Sequence, residues 1–397
     1  MTKQVWQVER FSTDVTNQIE SLQYFTGRRT QFDSWAPGSL VFTIDNDNGE
    51  ANGYDLNDKI ILTATGTSFY QWFYVQEVLF NDRGGLGAGS TATIVCTDLL
   101  GRLGRISVFE LPLASEETLL QIQNGFDSLM PSGTSIILQT SDGSSIAAAD
   151  ALYTGTGLNR LNLNMTTEQG WLAVTDVSIY LFGRADIDDV APGTITFARS
   201  ASGTLQIGYF DIKRIALGSN YLNDCTVTPP VAAQQNTSNA SGVASYGTYG
   251  AEFSTVDDTG LQALSFAEWQ VYSRSDPDEL SFQISVSDTA NDLTDLFESI
   301  YGNTAVVTVG YQNPGSTTDL VSFQIIQGWS MSVTPAKTDM EIFTSPLTYT
   351  NFFTLDSATF GILGGSAIIT YNANVRYSKN TYSYNGELVG AGGRLGW

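Results

Sequence analysis

The chain has 397 residues and a formal net charge of −23, with 41 acids, 18 bases and no histidine. That length accommodates two or three compact domains, and that charge excludes binding of nucleic acid or anionic lipid through a basic groove. Without histidine there is no Ser-His-Asp or Cys-His nucleophile and no His-ligated metal centre.

Abundant glycine and aromatics favour β-structure with many turns. Residues 1–110 read as one β unit, with strands expected at Gln4–Val8, Leu40–Ile44, Lys59–Thr65, Phe69–Leu79 and Thr91–Thr97. Within Arg28–Asp58, Pro37-Gly38 reads as a tight turn between two strands, and Asp45–Asp47 ends the second of them. Gly84–Gly89 precedes no helix, so it reads as a hairpin loop and not a phosphate cradle. Asp98–Arg105 reads as a short closing turn.

Residues 111–190 read as a mixed α/β domain. Leu119, Ile122, Phe126 and Leu129 fall at helical spacing, with Ser115 as N-cap and Pro131 as the stop. A second helix is expected over Leu158–Gln169, and Trp171–Phe182 alternates as a strand. From 191 to 345 the strand pattern returns at Thr194–Phe197, Leu205–Ile212, Cys225–Thr228, Leu280–Val286, Ala305–Tyr311, Leu320–Trp329 and Met340–Phe343. Two features interrupt it: a polar arm over 229–250, whose composition buries no core, and a helix over Leu261–Tyr272. Residues 346–397 form a C-terminal segment rich in Tyr, Asn and Gly. Ala36-Pro-Gly-Ser39 is echoed by Ala191-Pro-Gly-Thr194, which two related β units would explain.

Cys96 and Cys225 read as two buried free thiols. The N-terminus has no apolar run of signal-peptide length, and no window is long enough to cross a bilayer. The expectation is a protein made in a cytoplasm with no membrane-spanning segment. Carboxylate pairs are the one catalytic option left, at Asp186, Asp188 and Asp189 or at Glu116 and Glu117. Among 41 acids such neighbours arise by chance. Asp45-Asn46-Asp47-Asn48-Gly49 lacks the ligand spacing of a calcium loop and reads as a solvated turn. No catalytic, cofactor or metal site is assigned, and the chain reads as not an enzyme.

Gly38–Gly49, Asp98–Leu103, Thr167–Gly170 with Val174–Arg184, and Leu222–Thr228 with Ser245-Tyr-Gly247, taken in order, resemble segments of the tail hub and minor tail proteins of long-tailed bacteriophages. Gly38-Ser-Leu-Val-Phe-Thr-Ile-Asp-Asn-Asp-Asn-Gly49 is similar to the family's opening strand and polar loop. Asp98-Leu-Leu-Gly-Arg-Leu103 resembles the close of its first barrel. Thr167-Glu-Gln-Gly170 with Val174–Arg184, then Leu222–Thr228 with Ser245-Tyr-Gly247, resemble later motifs. The resemblance implies a mainly β fold with a small α/β portion: two tube-like β-barrel domains with inserted mixed domains. It implies a homotrimer at the tail tip or baseplate that joins the tail tube to the host-recognition apparatus. The expected neighbours are the tail tube, distal tail, tape measure and receptor-binding or fibre proteins. DNA would pass without specific binding through an acidic channel. The alternative is a receptor- or carbohydrate-binding tail protein, although Trp72, Trp171 and Trp269 lie in patterns that suit a core.

Overall fold

The computed structural model describes residues 5–81, 89–139, 143, 145–175, 177–183, 195–199, 206–216, 221–274, 280–289, 291–294, 296–297, 306–312 and 319–346. All of them lie in one compact unit, Met1–Leu347. The first half supplies β1 (Trp6–Arg10), β2 (Thr13–Asp14), β3 (Ile19–Gly27), β4 (Ser39–Asp45), β5 (Lys59–Ala64), β6 (Tyr70–Asn81) and β7 (Thr91–Thr97). A middle region follows with α1 (Leu99–Arg105), β8 (Ser107–Leu113), β9 (Glu116–Glu117), α2 (Thr118–Phe126), β10 (Ser135–Leu138), β11 (Ile146–Ala147), β12 (Asp150–Thr156), α3 (Gly157–Glu168), β13 (Trp171–Val174) and β14 (Ser178–Phe182). The second half opens with β15 (Thr196–Ala198), β16 (Gln206–Gly208) and β17 (Asp211–Ala216). A small insertion holds β18 (Asp224–Thr228), β19 (Gln235–Ser238), α4 (Ala240–Tyr246), β20 (Gly250–Ser254) and α5 (Gly260–Ser273). The chain then completes the half with β21 (Leu280–Ser287), β22 (Val306–Gln312), β23 (Asp319–Val333) and β24 (Thr338–Pro346).

The fold is mainly β, as the sequence pattern implies. Among the described residues fourteen strands form one sheet, and its order reveals an internal repeat. The first half runs β3-β4-β7-β6-β5-β1-β2, and the second runs β17-β21-β24-β23-β22-β15-β16. Each strand of one half has a counterpart at the same place in chain order in the other. The counterparts of β1 and β2 differ in direction: β15 pairs parallel with β16 and β22, whereas β1 pairs antiparallel with β2 and β5. Among the described residues neither half closes on itself. The Ala-Pro-Gly echo is not the trace of this repeat, because its copies precede β4 and β15, which are not counterparts.

Local irregularities repeat as well. Register slips by one residue between Val75 and Glu77 of β6, and between Ile326 and Gly328 of β23, leaving Gln76 and Gln327 as the bulged residues. A bulge bends and twists its strand. Beyond its bulge, β23 pairs with β24 on one side and with β3 of the first half on the other, from Gly328↔Gly27 to Val333↔Leu22. Backbones approach closely at this joint. A Cβ on Gly27, whose φ is +84°, would lie 2.4 Å from the Gln327 carbonyl oxygen. Gly27→Ala is therefore expected to cost at least about 2 kcal/mol in urea unfolding, from overpacking and left-handed strain together. A loss below half of that would mean the joint can open without cost.

The expected tight turn at Pro37-Gly38 is not formed. Gly27 ends β3, and the chain from Arg28 to Gly38 is a long connection instead. Arg28 anchors it, its backbone N–H donating to the Gln327 carbonyl and its Nε to Gln327 Oε1 at 2.8 Å. Asp98–Arg105 is a helix, not a turn: Asp98 caps α1 by accepting from the Gly101 N–H, and Gly101 is needed because a Cβ there would strike the Thr97 side chain. Helix α2 starts at Thr118, three residues beyond Ser115, because Glu116-Glu117 pairs with Ile146-Ala147 first. Trp171–Phe182 is a hairpin of two strands, β13 and β14, buried on both faces except at Tyr180. The segment 229–250 is folded and not a free arm. β19 pairs antiparallel and β20 parallel with β18, and α5 packs beneath them on Leu222, Cys225 and Val227. Its polar composition suits a sheet whose one face is wet.

Three apolar cores result among the described residues. The largest, which includes Leu40, Phe42, Ile60, Phe73, Phe282 and Ile342, fills one face of the sheet and draws on both halves. The second gathers α1, α2, α3, β13 and β14 onto Trp35, Tyr74 and Ile325, so the middle region covers one end of the opposite face. The third belongs to the insertion. Both cysteines are free and buried, and Trp171 and Trp269 are core residues.

Candidate functional surface: the polar face of the long sheet

Alternation along each strand sends one set of side chains into the core and the other to the opposite face. In-register pairing then aligns the second set in rows that cross both halves. One row runs Glu77, Val95, Val41, Gln23, Ser332, Asp339 and Ser287. The next runs Tyr74, Thr97, Ser39, Phe25, Ser330, Glu341, Ser285 and Asp211. Leu79, Thr93, Thr43 and Ser21 form a third, and Asn81, Thr91 and Asp45 a fourth. Most of these residues are short hydroxyls or amides. Glu77, Asp339, Glu341, Asp211 and Asp45 are acids, and the adjoining row on this face, Gly27, Gly328, Phe343, Gln283 and Lys213, adds one lysine. A second, Lys337, reaches in from the β23–β24 turn to Asp339 at 2.5 Å.

The bases elsewhere are largely committed. Arg10 binds Asp58 at 2.7 Å and lies over the Tyr54 ring. Lys59 sits 3.7 Å from the centre of the Trp72 ring. Arg102 bonds Asn57 and lies over Tyr74. Arg160 is buried and donates to Gln121 Oε1, and Arg274 stacks 3.8 Å over Phe32. Arg28 lies over Trp35, and burial lowers its pKa to about 9, partly offset by Asp33. A wall of this chemistry offers polyanions hydroxyls and like charge, with no fork of donors to hold a phosphate.

The other candidate groups that lie among the described residues make local contacts. Adjacent positions Glu116 and Glu117 on β9 point to opposite faces, and Glu116 Oε2 accepts from Asn124 Nδ2 at 2.7 Å, so the two carboxylates do not converge. Asp186, Asp188 and Asp189 lie outside the described residues. In the 45–49 loop the oxygens serve backbone amides: Asn46 Oδ1 accepts from Ala51 and Asp47 Oδ1 from Ser90. Among the described residues no group of three or more His, Cys, Asp or Glu is placed to hold a metal. Glu168, part of the Thr167-Glu-Gln-Gly170 motif but assigned no role by it, is buried in the middle region and accepts from Thr118 Oγ1 at 2.7 Å and from the Ser145 amide. No helix among the described residues is long and apolar enough to cross a membrane.

Among solved structures, the tail protein from Neisseria meningitidis MC58 matches with a TM-score of 0.61 at 12% identity, covering 87% of this chain and 97% of its own. The chain has the fold of a phage tail protein. The 43 kDa tail protein of prophage MuSo2 from Shewanella oneidensis shares this tail-protein fold, with a TM-score of 0.57, 10% identity and coverage of 87% and 97%. So does prophage tail protein gp18 from Listeria monocytogenes EGD-e, at 0.50, 10%, 86% and 94%. No family model and no curated protein sequence matches the chain. The likeness to tail proteins that the sequence motifs suggest is therefore carried by tertiary structure.

Proposed function

We propose that the protein is a structural, non-enzymatic component of a phage tail, a hub at the tail tip that joins the tail tube to the host-recognition apparatus. The observation that carries this reading is the excess of acids on one face of the sheet, where Glu77, Asp339, Glu341, Asp211 and Asp45 stand against Lys213 and Lys337. Copies arranged as a ring with that face inward enclose a channel through which DNA slides without being held, because the acids along it outnumber the lysines that could displace phosphate counterions. The internal repeat supports the same reading: a trimer then presents six similar units to a sixfold tube. The expected neighbours are the tail tube, distal tail, tape measure and receptor-binding or fibre proteins.

Immunogold labelling of purified virus particles tests the placement. Label at the tail tip is the expected result, and label on side fibres or capsid would sink the hub reading. A second prediction concerns the wall. The native chain is expected to leave double-stranded DNA unretarded in a gel at physiological salt. The triple substitution E77K/D339K/E341K is expected to retard it, with a binding constant that falls steeply as salt rises. Retardation by the native chain would remove the channel argument.

A further inference from the structure

The small insertion holds two tyrosine rings out in water. Tyr246, the last residue of α4, is 56% exposed, and Tyr249, just before β20, is 49% exposed. Both rings pack edge-on against Tyr221, with centroids 5.4 Å and 5.3 Å away and planes inclined at 73° and 77°. Tyr221 is buried and supports the pair, and Gly242 of α4 makes room for it: a Cβ there would lie 2.5 Å from the Tyr221 hydroxyl. The loop between the exposed rings is fixed to Asn223, which is fully buried. Asn223 Nδ2 donates to the Gly247 carbonyl at 2.6 Å, its Oδ1 accepts from the Tyr249 amide at 2.7 Å, and its backbone N–H donates to the Tyr249 carbonyl at 3.0 Å. Asn239 caps α4 by accepting from the Gly242 N–H, and its own N–H donates to the Asn223 carbonyl. Large rings left in water forgo the stabilisation that burial gives. Here buried hydrogen bonds hold both rings in place instead of letting them collapse onto the core.

We propose that this tyrosine cluster binds the sugar rings of a neutral glycan. The inference is independent of the hub reading above. A pyranose presents an apolar C–H face and a rim of hydroxyls. Its C–H groups carry the partial positive charge that the negative face of an aromatic ring attracts, and two rings on one rigid mount give a glycan two such contacts. An acceptor for the hydroxyl rim stands close by. Asp224 lies beside Gly250, the residue after Tyr249, where a Cβ would come 3.6 Å from Asp224 Oδ2. Asn236 Nδ2 holds the other oxygen, Oδ1, at 3.2 Å. Oδ2 is thereby left to accept a sugar hydroxyl in a charge-assisted hydrogen bond. The exposed Ser245 and Thr248 keep the surroundings polar, which suits a ligand apolar on one side and wet on the other. Charge selects the class of glycan. Residues 221–273 contain Asp224, Glu252, Asp257, Asp258 and Glu268 and no lysine, arginine or histidine. Such a surface repels phosphate, sulfate and uronate groups and leaves neutral sugars.

Titration calorimetry on the full chain tests the site with the hexamers of glucose, of N-acetylglucosamine and of galacturonic acid as probes. At least one of the two neutral hexamers is expected to bind, and the galacturonate hexamer is expected not to. Y246A/Y249A should weaken that binding by about tenfold or more, while Y246F/Y249F, which keeps both rings, should stay within about twofold of the native chain. Both tyrosines are half exposed, so the urea midpoints of the two double variants should match the native one, which separates a lost contact from a lost fold. Failure of both neutral hexamers to bind, undiminished binding by Y246A/Y249A, or tighter binding of the galacturonate hexamer overturns the site. Self-association of the native chain that Y246A/Y249A abolishes overturns it too, because the patch would then belong to a second copy. None of these outcomes bears on label at the tail tip, so the hub reading is judged separately.

Discussion

Replacing Trp329 by alanine is expected to cost about 3–5 kcal/mol, read as a lower urea midpoint of a single unfolding transition. Trp329 stands on β23 of the second half and is 5% exposed. Its ring lies 4.4 Å from that of Tyr24 on β3 and 5.7 Å from that of Phe69, both from the first half, and 5.9 Å from Phe297. Trp6 continues the cluster to Phe297 at 5.0 Å and donates from Nε1 to Thr338 Oγ1 at 3.0 Å, tying β1 to β24. A truncation here removes edge-to-face contacts on both sides of the joint and leaves a cavity that neither half can fill alone. Two transitions, of which only one shifts, would show that the halves have separate cores.

Asp98 is expected to make stability fall as pH rises from 4 to 7. Its carboxyl is fully buried, and burial raises its pKa from 3.8 to about 7, with hydrogen bonds from the backbone at Gly101, Gly38 and Leu100 acting the other way. Oδ1 accepts from the Gly101 N–H, and Oδ2 has no partner. The folded state therefore keeps the proton up to about pH 7, while the unfolded chain releases it near pH 4. Between those values the native state binds more protons than the unfolded state, so stability declines with pH. Below that window the contribution is full, and above it the loss is complete, on the order of 4 kcal/mol for a shift of this size. Asp98→Asn keeps the cap oxygen and removes the charge. The difference in unfolding free energy between D98N and the native chain should grow by about that amount from pH 4 to pH 8. A difference that stays flat with pH would show that Asp98 is ionised in the folded state.

Much of the strand inventory is legible because alternation is local. Phe69–Leu79 reads as a long central strand and is β6, and Leu261–Tyr272 reads as a helix and is α5 with one residue more at each end. Legibility fails where a distant partner decides. Asp98–Arg105 carries two glycines and reads as a turn, yet Gly101 is there to pass Thr97, and the helix packs Leu99, Leu100 and Leu103 into a core. The segment 229–250 has no apolar run of its own, and it folds because β18 lends it a sheet to join. Glu116-Glu117 looks like a helical first turn until the pairing with Ile146-Ala147 claims it.

The sequence by itself determined the chemistry that is possible. Without histidine and with a charge of −23, it ruled out the common nucleophilic and metal sites and a basic groove, and its period-two runs made the fold mainly β. Tertiary structure decided which acids share a face, and that two halves with no evident sequence repeat are copies of one seven-strand order. It also decided that Gly27 meets Gly328 from the far end of the chain. The reason is physical. Periodicity says which side chains point together along one strand, whereas the register between strands hundreds of residues apart comes from bulges, close backbone contacts and shared cores that no local pattern encodes.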